Sequence, residues 1–82
     1  MTDTNFIGMI NGRLALALAK LDGWRDFAVY MTDEEVRNWR DVATLCNRIV
    51  IADRAGADRL EVMTLTDQMY KATDAAIAAG RI

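Results

Sequence analysis

The chain has no histidine and no proline, a single cysteine, and only two each of tryptophan, tyrosine and phenylalanine. Each shortage narrows the possibilities. Without histidine the commonest general base and metal ligand is missing. One cysteine, Cys46, cannot close an internal disulfide, which suits a reducing compartment. No window approaches the ~20 apolar residues of a membrane span, and Asp3 stands where a signal peptide would carry basic residues. A soluble, cytoplasmic protein is therefore expected. Glycine-rich phosphate loops and nucleophile elbows are also missing. Most of the nine Asp and three Glu fall in first helical turns or in i, i+4 pairs such as Asp33–Arg37, where they support helices. No two carboxylates share an apolar face as a tuned acid and base would. The expectation is a protein without catalytic residues, cofactor or metal.

What is present points to helices. Of the 82 residues 52% are apolar and 27% charged, a balance that predicts one folded domain over 1–82. Ten basic against twelve acidic residues leave a net charge of −2, which gives no general pull toward nucleic acid or an anionic membrane.

The most clearly signalled stretch is Thr32 to Gly56. Thr32 and Glu35 have the spacing of a capping box, and Asp33, Glu34 and Glu35 put negative charge at the positive end of the helix dipole. Val36, Trp39, Ala43, Cys46 and Val50 recur at three and four, beside a second row of Val42, Leu45, Ile49 and Ala52. At ~100° per residue the two rows cover roughly half the circumference, so this helix should have neighbours on more than one side, one of them conceivably in another chain. Cys46 lies within the rows and reads as a small buried hydrophobe. Asn38 and Asp53 interrupt the arc. A buried Asp53 would need a partner, which Arg13 or Arg59 could supply, or else a ligand.

Two further long helices are expected around it. Residues 2–21 carry an apolar face from Phe6 to Leu21, with Asp3 or Thr4 as cap and Asp22-Gly23 as stop. Asn11-Gly12 offers a rival hairpin turn there, or a helix that begins only after Gly12. Gly8, Gly12, Ala15 and Ala19 form a separate small-residue stripe, read as a tight crossing inside the fold. Trp24, Phe27, Ala28 and Met31 suggest a short intervening helix whose aromatics cover one end of the core, with Tyr30 outward. The last helix should run from an Asp58 cap to about Ala79. Its face contains Val62, Leu65, Met69 and Ala76, with Thr66 and Thr73 bonding back to carbonyls one turn earlier. The expected fold is all-α: a compact bundle of three to four helices whose long central and C-terminal members form an antiparallel αα-hairpin.

Residues 48–65 also resemble the helix-turn-helix of bacterial regulators. Ile51, Ala52, Ala55, Gly56, Ala57, Val62 and Leu65 fall at the positions where that motif wants small or apolar side chains. The resemblance would present Asp58, Arg59, Met63 and Thr64 to a major groove. Three departures stand against it: Asp58 and Glu61 would face phosphates, no basic residue lies between Arg59 and Lys71, and the preceding helix is long. A glycine turn between two hairpin helices produces the same pattern.

The function expected from these features is binding. The apolar arcs exceed what three or four short helices easily bury, and exposed apolar surface on a soluble domain usually means association, with a protein partner or as a homodimer. A regulator, inhibitor or adaptor fits, a phage-type host modulator being one example, acting by laying a helix face over its target. The candidate contacts are Arg40, Asn47, Ile51 and Arg54 on one side, and Met63, Met69 and Tyr70 on the other. Whether Ile51 packs under another helix or faces a partner is open at this level.

Overall fold

The computed structural model describes residues 4–81, which form three helices: α1 (Thr4–Asp26), α2 (Asp33–Arg54) and α3 (Arg59–Ala79). Among the described residues there is no strand. The expected start at residue 2, the alternative cap Asp3 and the tail residue Ile82 lie outside the described residues; the other expected cap, Thr4, is the first described residue of α1.

The start of α2 is held as its sequence requires. Thr32 Oγ1 accepts from Glu35 N at 3.1 Å, and Glu35 Oε1 accepts from Thr32 N at 3.1 Å, completing the capping box. At the other end Gly56 adopts φ +74°, a left-handed conformation that lets Ala57 N reach back to Ala52 O at 2.9 Å. The Asp58 carboxylate then accepts from Leu60 N at 2.8 Å and opens α3. Gly80 closes it, donating its N–H to Ala76 O at 3.2 Å. There α3 has come back to the first turn of α2. A Cβ on Gly80 would stand 2.8 Å from Glu35 Oε2.

Helix α2 is the middle of the molecule. It packs against both α1 and α3, whereas no α-carbon of α1 comes within 8 Å of one in α3. Val36, Trp39, Val42, Cys46 and Ile49 are buried on it, and around them gather Ile10 and Ala17 of α1 and Met69, Thr73 and Ala76 of α3. Fully burying each large aliphatic side chain stabilises the fold by about 1.5–3 kcal/mol. The width of the α2 arc is thus explained inside one chain, by two flanking helices. Inside the α3 face the hydroxyls of Thr66 and Thr73 donate to Val62 O and Met69 O, each at 2.8 Å. Burial of Thr73 therefore leaves no hydroxyl without a partner.

Helix α1 differs most from expectation. It runs unbroken through Asn11-Gly12 and through Asp22-Gly23 to Asp26, so neither the hairpin, the late start nor the early stop occurs. A glycine inside a helix costs only about 1 kcal/mol relative to alanine, and continuing past Gly23 lets Trp24 pack against the core. The helix ends instead at Asp26, and the chain turns away at Ala28, which has φ +56°. Gly23 O accepts from both Phe27 N (3.1 Å) and Val29 N (3.0 Å). No short second helix forms. Of its expected residues Met31 is buried and Trp24 half-buried, but Phe27 is exposed. Tyr30 faces outward as read. The small-residue stripe is not a crossing: Gly8, Gly12, Ala15 and Ala19 are all exposed, and a Cβ on either glycine would meet nothing within 4 Å.

Candidate functional site

Four of the residues singled out by sequence, Arg40, Asn47, Ile51 and Arg54, are exposed on the side of α2 away from its buried arc. Spacings of seven, four and three keep them on one stripe. Ile51 is the decisive member. It is 67% exposed and does not pack under another helix. Arg40 is partly committed within the chain, its Cζ lying 5.8 Å from the ring centroid of Trp24. That distance is within cation–π range and ties the end of α1 to α2.

The α3 candidates divide. Met63 and Tyr70 are exposed and, with Ile77, repeat every seven residues along one stripe. Tyr70 is turned toward α1: its hydroxyl lies 3.5 Å from Met9 Sδ, and Arg13 Cζ is 5.7 Å from its ring centroid. Met69 is fully buried and belongs to the core, because it sits at the centre of the face turned to α2. It is not a contact residue.

The charged partners expected from spacing are also redistributed. Asp33–Arg37 does not form an ion pair. The pairs among the described residues are Arg25 with Asp22 (2.7 Å) and Asp26 (3.1 Å), and Lys71 with Asp67 (3.1 Å). All are exposed, where such pairs contribute little. Asp53 and Asn38 are only half-buried, and Asp53 pairs with neither Arg13 nor Arg59. A half-buried carboxylate stays within reach of solvent, so Asp53 does not require a charged partner. Cys46 is fully buried, and the loss of solvent pushes its thiol above the usual range, an effect the Arg13 charge partly offsets. A thiolate is the reactive form, so this cysteine is chemically quiet. No group of three or more acidic or thiol side chains among the described residues could hold a metal ion. Among the described residues no helix is long and apolar enough to cross a membrane.

Two features escaped the sequence reading. One is the connection between α1 and α2, where Phe27, Val29 and Tyr30 are 77%, 55% and 83% exposed. The run Phe27-Ala28-Val29-Tyr30 between Asp26 and the Thr32 cap was the available signal, since no helical face can bury four consecutive apolar residues. The other is a cleft of about 340 Å³ between α1 and α3, over the N-terminal half of α2. Leu16 and Ile77 form its walls, Trp39 and Ala76 its floor, and Lys20, Glu35 and Gly80 its rim. It exists because α1 and α3 both lean on α2 while their backbones stay apart, a tertiary fact that no single helix pattern carries. Compared with known proteins, the chain matches no family model, no curated protein and no solved structure.

Proposed function

We propose that this chain is a non-enzymatic binding protein, a regulator, inhibitor or adaptor, that docks the outer stripe of α2 onto a partner protein and acts by covering the partner's surface. The observation that carries this reading is the exposure of Ile51 in the middle of a regular helix, with Asn47 and Arg54 beside it on the same stripe. An isolated exposed aliphatic is ordinary. One ringed by arginine and an amide has the composition of an interface, an apolar anchor with adaptable donors around it. Docking would desolvate Ile51 and leave the arginines at the rim, where they govern orientation and on-rate more than affinity.

The αα-hairpin of α2 and α3 supports this reading over DNA recognition. Residues 48–65 are the end of one 22-residue helix and the start of one of 21 residues, and α3 returns antiparallel to the first turn of α2. A helix-turn-helix instead sets its two helices at roughly 90–120° so that the second can enter a groove.

The test is affinity capture from native cells with the wild-type chain beside Ile51→Glu, each first checked for helical content by circular dichroism. A partner retained by the wild type and lost by the folded variant is the expected result. Identical capture by both, or duplex DNA binding that weakens steeply with salt, would replace this reading.

A further inference from the structure

We propose that the partner docked on the outer stripe of α2 is a protein whose contact surface carries carboxylates around an apolar socket. This rests on the reading of that stripe as the docking face, and it names the chemistry of what the face meets.

The net charge of −2 conceals an uneven distribution. Arg37, Arg40, Arg48 and Arg54 are all exposed, and at ~100° per residue they fall within about 60° of Ile51 around the helix. From first to last they run about 25 Å along its axis. Past the first turn α2 has one exposed carboxylate, Asp41, since Asp53 is half-buried. None of the four arginines enters an ion pair among the described residues, although Asp33 stands four residues before Arg37 and Asp58 four after Arg54. Four guanidinium groups thus lie on one side of the helix with no carboxylate of their own chain paired to them.

The side chains on the stripe select its partner. A guanidinium is a planar fork of N–H donors that matches a carboxylate two bonds at a time, and the Trp24 ring already steadies that of Arg40. Ile51, 67% exposed, sits between Arg48 and Arg54, about one turn from each. Its burial requires an apolar socket inside the acidic field, and an acidic protein surface offers both. A nucleic-acid backbone offers the charge without the socket. Asp41 at the edge of the stripe, with the exposed Asp58 and Glu61 beyond its end, would repel a continuous polyanion but leaves room for carboxylates placed between them. An anionic bilayer receives a broad apolar helix face, which one isoleucine does not provide. A second copy laid stripe to stripe would set arginine against arginine.

The probe is a random copolymer of glutamate and tyrosine, titrated into the isotope-labelled chain and followed residue by residue through amide NMR shifts. Shifts should concentrate on the outer residues of 37–54 and fade as salt rises from about 50 to 300 mM and screens the charges. Polyglutamate, which lacks the apolar groups, should bind several-fold more weakly, and a lysine–tyrosine copolymer not at all. Arg48→Glu/Arg54→Glu changes exposed side chains, so it should keep its helical content and lose the shifts. Arg48→Lys/Arg54→Lys keeps the charge and should retain most of the binding. Shifts that are missing at low salt, that centre on another face, or that appear equally with the lysine copolymer overturn the proposal. So does tighter binding of polyuridylate, duplex DNA or phosphatidylglycerol vesicles. Its failure is separable from that of the docking face. A cellular partner lost by Ile51→Glu yet kept by Arg48→Glu/Arg54→Glu would leave the face standing and remove the acidic partner.

Discussion

Cys46 is the one titratable side chain among the described residues that the core takes in whole, and its ionisation gives a residue-scale prediction. Burial favours the neutral thiol and raises its pKa above the ordinary 9.0. The folded protein therefore holds this proton more tightly than the unfolded chain does. Stability from this source is whole below pH 9 and is lost as pH rises from there through the folded-state value, at no more than about 1.4 kcal/mol per pH unit. Urea unfolding at pH 8 and pH 10 should show a steeper loss for the wild type than for Cys46→Ala; parallel losses would mean the thiol contributes nothing. Much at this scale was legible in advance. Cys46 and Met69 sit in helical rows, and the hydroxyls of Thr66 and Thr73 find carbonyls four residues back, because these relations depend only on helix geometry. The ion pairs were less legible. Asp33 and Arg37 have suitable spacing, but exposed side chains gain too little from pairing for spacing to decide it.

At the scale of elements, the helix ends that obeyed local rules were the capping box at Thr32, the turn at Gly56, the Asp58 cap and the stop at Gly80. Each is a chemical device contained within a few residues. The end of α1 was not legible, because the decision there is tertiary. Asp22-Gly23 carries the local stop signal, and packing of Trp24 on the core overrides it. The helix then ends at Asp26, and the chain turns at an alanine in a glycine's conformation. This predicts a stabilising substitution. Ala28→Gly should relieve a left-handed strain of roughly 1–2 kcal/mol against an entropic cost of about 0.5–1 kcal/mol. The expected net gain is roughly 0.5–1 kcal/mol, a rise in Tm of about 2–8 °C. Thermal melts at fixed chain concentration read it. A fall in Tm would show that the left-handed position carries no strain.

For the whole molecule, the sequence revealed an all-helical fold with three long helices, but it also suggested a short fourth that does not form and did not show which apolar surface remains outside. Half of α2's circumference is apolar because two helices of the same chain cover it, so that width says nothing about partners. The apolar surfaces that remain outside, Ile51 and the Phe27–Tyr30 loop, and the α1–α3 cleft depend on where three helices come to rest. The described residues span 41 × 20 × 17 Å, so the Phe27–Tyr30 loop at one end and the outer stripe of α2 along the side are separate surfaces.

Because the backbone of α1 packs on α2 alone and α2 is next to α3 in the chain, each helix docks mainly on its immediate sequence neighbour. The first helix finds the third only through the side chain of Tyr70, which reaches Met9 and Arg13. Topologies of this kind have low contact order, and helical chains with it fold in microseconds to milliseconds. With no proline in the chain, the isomerisation that delays many proteins by tens of seconds has no substrate here. Stopped-flow refolding from urea at micromolar chain should be complete within the instrument's dead time or a few milliseconds beyond it. A dominant phase lasting seconds would mean that some contact other than these successive dockings controls the path to the native state.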